Sequence, residues 1–421
     1  FKLNNEINRP VNGKIPLHKD KEAVAAYFKE HVNPNTVYFS TLEEKLEYLT
    51  NNGFIEKAFL DKYTFKFIKK LFHRMYNKNF KFRSFMGAHK FYSQYALKTN
   101  DGKKYLERFE DRLAFNALFL ANGDEKLALD IGEELINQRY QPATPTFMNA
   151  GRQSRGDFVS CFLLETTDDM NSIGRVINSA LQLSKGGGGV GINASNLREA
   201  GAPIKKIKNA ASGVVPVMKL LEDSFTYANQ LGTRQGAGVG YLDVCHPDVL
   251  DCLSARREHA DEKVGIKTLS LGLVVPDKFY ELTKNNDIMY LFSPYDVERE
   301  YGTPFSYVDI TTEYDNMVNN SDIRKYEVNA RDVENEISKL QQESGYPYIV
   351  NIDTANRESA VPGKIVMSNV CSEILQPMKP SVIGNDQNYI EMGEDISCNL
   401  GSTNIVNLME QMEHCHHHKL F

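Results

Sequence analysis

Cysteine is scarce in this chain: six in 421 residues, at Cys161, Cys245, Cys252, Cys371, Cys398 and Cys415. That excludes the dense disulfide framework of a small secreted domain, so a cysteine that matters here acts chemically. Long apolar runs are also lacking. No stretch of about 18 apolar residues occurs, and Phe1-Lys2-Leu3-Asn4-Asn5 is not a charged-then-apolar leader, which speaks against a membrane span and makes the cytoplasm the default location. There is no long basic run, and the net charge is −6, which gives no support to a nucleic-acid polymer as partner but leaves single nucleotides open. The chain does not open on Met, so Phe1 is read as lying within a longer sequence.

What is present is ordinary for a globular protein: 41% hydrophobic and 25% charged residues, in a length that suits two folded regions. Residues from about 20 to 140 read as helical. Asp20 to Phe28 has an acidic first turn and apolar residues spaced for one helix face, and Phe59 to Tyr76 and Leu113 to Leu120 continue the pattern. Gly123-Asp124 marks a turn before Leu127 to Ile136. From Gln141 the composition changes, with Pro142, Pro145 and Gly151 as breakers. Phe158 to Leu164, Val264 to Val275 and Tyr346 to Val350 are strand candidates, with helical stretches such as Ala330 to Gln342 between them. Alternation of this kind predicts an α/β region with parallel strands. No repeat at a solenoid period is found.

The sharpest constellation is Asn369-Val370-Cys371-Ser372-Glu373. In extended backbone, residues two apart share a face, so Asn369, Cys371 and Glu373 would offer an amide, a thiol and a carboxylate roughly 7 Å apart, suited to a ribose ring. The competing reading is a buried structural thiol beside exposed polar residues, since unpaired cysteines are often core. Cys245-His246 with Cys252 looks superficially like a metal site, but no second ligand pair follows, and both cysteines are read as structural. The run Gly186-Gly187-Gly188-Gly189 could present successive N–H groups as an anion nest, or could be a turn entering a strand.

The segment from Asn369 to Glu373 resembles the Asn-x-Cys-x-Glu signature of ribonucleotide reductase large subunits. Further motifs follow in the family's order: Arg139 to Thr146, Val159-Ser160-Cys161, Gly188 to Asn193, Ser344 to Tyr348, and Asp395 to Ser402. The resemblance covers roughly residues 3 to 410. It implies an N-terminal helical domain over 1–140, then part of a ten-stranded α/β barrel over 141–410, with the second half of the barrel lying beyond this sequence and a His-rich tail, 411–421, outside the resemblance.

It also implies roles. Cys371 would carry a transient thiyl radical that removes the 3′ hydrogen of a ribonucleotide, Glu373 would act as base toward the 3′ hydroxyl, and Asn369 would hold the ribose. Cys161 and Cys398 would be the reducing pair, closing a disulfide as the 2′ hydroxyl leaves as water. Thr146, Ser160 and Gly189 fall at substrate-binding positions. Asp168, Ser184, Arg198 and Lys205 fall where a deoxynucleotide or ATP effector binds at a homodimer interface, with Gln230 and Arg234 on a glycine-rich loop between effector and substrate.

Leu3-Asn4-Asn5-Glu6 enters the helical region almost directly, the class Ib pattern. That pattern implies a separate small subunit with a dinuclear metal site and a tyrosyl radical, a glutaredoxin-like or thioredoxin-like reductant, no metal in this chain, and possibly a separate polypeptide carrying the C-terminal half. Three rivals stay open at this point: an adenosylcobalamin-dependent reductase, a non-catalytic fragment that binds nucleotide or dimerises, and a glycyl-radical enzyme, against which the Cys161 and Cys398 motifs argue.

Overall fold

A computed structural model describes residues 10, 13, 18–154, 156–228 and 235–409. It divides into two compact units, one formed by 1–158 with 400–421 and the other by 159–399. The break therefore falls at 158/159 rather than at 140/141. The first unit is also discontinuous, because strand Gly401–Thr403 pairs antiparallel with Tyr140–Pro142.

The first unit is helical, as the periodicity predicts. Helix α1, Phe65–Asn77, buries Phe67, Ile68, Leu71, Phe72 and Met75 along one face. The expected helix from Phe59 to Tyr76 is interrupted before it, because the Thr64 hydroxyl accepts from the Phe67 N–H at 3.2 Å and caps a new helix. Helix α2, Phe109–Ala121, is buried on nearly every side. It ends in left-handed Asn122 and Gly123, and Asp124 then caps α3, Glu125–Ile136, by accepting from Leu127 N at 2.9 Å. Within this unit Glu107 and Arg112 are wholly buried and Arg152 nearly so. The Glu107 carboxylate accepts from Leu97 N at 3.0 Å, Arg112 Nη1 at 3.2 Å and Arg152 Nη2 at 3.0 Å.

The second unit is built on a six-stranded sheet. Strands β1 (Cys161–Glu165), β2 (Gly189–Asn193), β3 (Gly238–Asp243), β4 (Ser270–Val275) and β5 (Tyr348–Asn351) run parallel in sequence order, and β6 (Ile396–Cys398) lies antiparallel beside β1. Helices α4 (Met170–Lys185), α5 (Val214–Tyr227) and α6 (Ala330–Ser344) stand among the connections. Every residue of β2, β3 and β4 is buried, as both faces of such strands are covered. This arrangement is part of an α/β barrel.

The strand expected from Val264 starts only at Ser270. The Glu222 carboxylate takes the N–H groups of Lys267 and Leu269, at 2.6 and 3.3 Å, so the backbone there cannot join a ladder. Burial would raise the pKa of that carboxyl, yet Lys219 and the donors of Thr268 and Lys267 pull it down to about 2. No helix among the described residues is long and apolar enough to cross a membrane.

Candidate active site

The segment 369–373 is not extended. The Ser372 N–H donates to the Asn369 carbonyl at 3.1 Å, and Ser372 has φ 61°, so the chain folds back in a tight turn. The shared face drawn from strand alternation is therefore wrong in its reason. Asn369 is fully buried while Cys371 and Glu373 are exposed. Asn369 organises the turn: its Oδ1 accepts from Glu373 N and Ile374 N, each at 3.0 Å. Among the described residues nothing bonds its Nδ2, a buried donor. An amide anchored by its oxygen, with its nitrogen unspent, is suited to grip a ligand oxygen.

The turn rests on β2. A Cβ at Gly189 would stand 3.0 Å from Val370 Cγ2, and one at Gly191 would stand 2.7 Å from the Ser368 carbonyl oxygen and 3.2 Å from Asn369 Cα. Only glycine lets the backbone of the cysteine loop come this close to the strand. Gly191→Ala is expected to shift the loop and to lower stability by about 1–3 kcal/mol. Thermal unfolding, together with the exchange rates of the Ser372 and Glu373 amides, would measure it; an unaltered variant would show that the loop has slack.

One strand further along, Cys398 in β6 is the register partner of Cys161 in β1. Directly opposed residues of an antiparallel pair have Cα atoms about 4.5–5.5 Å apart, inside the roughly 4.4–6.8 Å that a disulfide spans. Both cysteines are buried, and no described cysteine is in a disulfide. Burial first, then the Cys161 thiol and the Glu373 carboxylate, push the Cys398 thiol up to about 11, so it stays protonated at neutral pH. Cys161 is in turn the register partner of Gly189, on which the Cys371 turn packs. The opposed cysteines and the strand on which the turn packs are thus neighbours in the sheet.

Ser160 precedes Cys161 and is buried. Its carbonyl accepts from Gly189 N at 2.8 Å, while its hydroxyl has no partner among the described residues. Thr146 belongs to the first unit, where its hydroxyl donates to the Phe158 carbonyl at 3.1 Å. The anion nest is not formed. The N–H groups of Gly186, Gly187, Gly188 and Gly189 donate to Gln182, Ser184, Leu183 and Ser160 carbonyls, ending α4 and opening β2, and none is left for an anion. Cys245 and Cys252 are buried in the core of the second unit. Among the described residues no three His, Cys, Asp or Glu side chains gather as metal ligands.

The residues expected at the effector site separate into two groups. Arg198 Nε meets Asp168 Oδ2 at 2.6 Å, its guanidinium lies over the Tyr295 ring at 4.7 Å, and both line a cavity of about 410 Å³ with Glu298 and Arg299. Burial raises the pKa of Asp168 against the pull of Arg198. Lys205 is exposed, two residues beyond Pro203, whose carbonyl accepts from Arg198 Nη1 at 3.1 Å. Ser184 is elsewhere. It lies at the far end of α4, a helix of 16 residues and so about 24 Å long, where its hydroxyl donates to the Ala228 carbonyl at 2.6 Å. Gln230 and Arg234 lie outside the described residues.

Sequence reasoning missed Gly191 and Tyr241, whose hydroxyl contacts the cysteine turn. The only signal was a strand run alternating glycine with larger residues. Cavity size was no guide either, since a larger cavity, about 1290 Å³, lies in the helical unit and holds none of the candidate residues.

A sheet of this order, with an opposed cysteine pair and a glycine-cradled Asn-Val-Cys-Ser-Glu turn, defines a ribonucleotide reductase barrel, and sequence comparison agrees. The profile of the ribonucleotide reductase barrel domain matches residues 159–420, including most of the tail expected to lie outside the resemblance. Profiles of the ribonucleotide reductase N-terminal region and all-alpha domain match 1–80 and 81–155. The chain belongs to the ribonucleotide reductase large-subunit family.

Among its relatives, the ribonucleoside-diphosphate reductase subunit alpha of Mycoplasma pneumoniae is 53% identical over 94% of this chain and 54% of its own length. That of Bacillus subtilis is 49% identical over 97% and 59%, and that of Helicobacter pylori 32% identical over 82% and 42%. The chain spans about half the length of the curated relatives it matches.

Proposed function

We propose that this chain is the part of a ribonucleoside-diphosphate reductase that holds the reacting thiols, and that the reaction is the radical reduction of a ribonucleotide at C2′. The observation that carries the reading is the opposed pair Cys161 and Cys398, one strand from the turn of Asn369, Cys371 and Glu373. A thiyl at Cys371 takes the 3′ hydrogen, and the sulfur gains an S–H bond. Glu373 accepts the 3′ hydroxyl proton, and the 2′ hydroxyl leaves as water with a proton from the thiol pair. Cys161 and Cys398 together supply two electrons and two protons, one proton leaving in the water and the other forming the new C2′–H bond, and close a disulfide, while Glu373 returns its proton to the 3′ oxygen. Return of the hydrogen from Cys371 to C3′ restores the thiyl and completes the deoxynucleotide. The unspent Asn369 Nδ2 and Ser160 hydroxyl supply polar contacts for the substrate, and Gly189 gives the floor on which the turn rests.

The partners of this reading follow from its chemistry. The radical comes from a separate small subunit with a dinuclear metal site and a tyrosyl radical, as in class Ib, and a thioredoxin-like or glutaredoxin-like dithiol reopens the disulfide. The cavity of Asp168 and Arg198 takes a nucleotide effector. Because Ser184 stands at the opposite end of α4, it joins that site only across a two-fold axis that sets two copies of the helix antiparallel.

The test needs only the chain. Mild oxidation with diamide, followed by peptide mapping under non-reducing conditions, should give Cys161 joined to Cys398 as the main disulfide, with Cys371 left as thiol. Since attack requires thiolate, the bond should form faster as pH rises toward 11. Cys161 joined chiefly to another cysteine would overturn the assignment of the pair.

A further inference from the structure

Tyr241 lies within β3, wholly buried, and takes no part in the reduction described above. Its hydroxyl oxygen is 2.8 Å from the Asn369 carbonyl oxygen and 2.6 Å from Ser372 Oγ. A carbonyl only accepts, so the tyrosine proton goes to Asn369 and the Ser372 hydroxyl donates to Tyr241. One side chain therefore holds the turn on both sides of Cys371. Ser372 is also the residue in left-handed backbone, φ 61°, a conformation that persists in a non-glycine residue only where its surroundings enforce it.

The ring that delivers this hydroxyl is itself fixed. Tyr241 is the register partner of Gly272 in β4, and a Cβ at Gly272 would stand 2.3 Å from Tyr241 Cε1. The ring lies across β4 in the space that any other residue at 272 would fill, and the strand on the far side, β5, carries Tyr348 opposite the same glycine. Packing sets the ring and the ring sets the hydroxyl.

We propose that Tyr241 is a positioning residue that clamps the Asn369–Ser372 turn through the Asn369 carbonyl and the Ser372 hydroxyl, fixing where the Cys371 thiol and the Asn369 amide nitrogen point. The inference rests on the reading of Cys371 as the reacting thiol.

The experiment uses the full chain as wild type, Tyr241→Phe, Ser372→Ala and the double variant. Phenylalanine keeps the ring and removes the hydroxyl; alanine removes the other partner of the same bond. Amide hydrogen exchange at Ser372, Glu373 and Ile374 is expected to accelerate about tenfold in Ser372→Ala, the worth of one buried hydrogen bond, and further in Tyr241→Phe, which also loses the bond to the Asn369 carbonyl. Amides of β2 and β4 should be unchanged. In the double variant the acceleration should match that of Tyr241→Phe alone, because losing the tyrosine hydroxyl already breaks the bond that Ser372→Ala breaks. Acceleration spread over the whole sheet, or effects that multiply in the double variant, would mean that Tyr241 acts by packing, and unchanged exchange at the turn would mean that it holds nothing; each overturns the proposal. The diamide assay separates this inference from the reading beneath it, since the Cys161–Cys398 disulfide forms whether or not the clamp exists.

Discussion

Cys371→Ser is expected to bring deoxynucleotide formation below detection in a reductase assembled around this chain, a loss of at least about 10³-fold, or ~4 kcal/mol of barrier. Serine nearly matches cysteine in size, but the hydrogen of its hydroxyl is bound too strongly to be removed by the incoming radical, so no species able to take the 3′ hydrogen forms. Binding should survive. Cys371 is exposed, and the atoms proposed to contact the ribose, Asn369 Nδ2 and Ser160 Oγ, belong to other residues and have no partner among the described residues. Equilibrium binding of a ribonucleoside diphosphate should therefore change less than about twofold, the scatter of an exposed substitution. Deoxynucleotide formation by the variant within tenfold of wild type would show that the radical resides elsewhere.

The largest effect on stability is expected at Glu107. Its carboxylate is wholly buried between Arg112 and Arg152 and takes the Leu97 N–H as well. Removing one member of a buried charge network leaves the others unpaired, so Glu107→Ala should cost about 3–5 kcal/mol, a large share of the roughly 5–15 kcal/mol that holds a domain folded. The pH dependence has a definite sign. Burial alone would raise the pKa of Glu107, but Arg112 and then Arg152 outweigh it and hold it below the ordinary value of 4.5. A depressed carboxyl contributes stability that is complete above that ordinary value and is lost as the pH falls through the lower, folded value. Urea unfolding of wild type and Glu107→Gln across the acid range should show the difference between them shrinking as pH drops below about 4.5. A constant difference would mean that Glu107 contributes by shape rather than by charge.

Much of this architecture was legible because it depends on periodicity. The helices of the first unit follow apolar spacing, and Gly123-Asp124 turns where turn residues stand together. The order of the cysteine motifs carried the family, and the family carried the pairing of Cys161 with Cys398, which neither spacing nor composition could have supplied. The failures have physical reasons. The Asn369 to Glu373 segment reads as strand because serine does not advertise positive φ, and what enforces the turn, Tyr241, is far away in sequence. The glycine run reads as an anion nest because glycines leave N–H groups open in principle; here helix end and strand ladder consume them. Ser184 and Asp168 could have been separated from the sequence alone, since the helical stretch between them is too long for both to reach one nucleotide within a single chain.

The return of the chain to its own beginning has a consequence for biosynthesis. Strand β6, with Cys398, and Gly401–Thr403, which pairs with Tyr140–Pro142, are made long after the segments they complete. At about 5–20 residues per second, Cys161 emerges from the ribosome on the order of 10–50 s before its partner strand exists. During that interval neither compact unit is finished, β1 has an open edge on the side that β6 later covers, and the Cys161 thiol stands uncovered by its partner. The nascent chain is thus exposed to wrong strand pairing and to oxidation until β6 arrives, and the step that brings Cys398 beside Cys161 is the same step that covers that edge of β1.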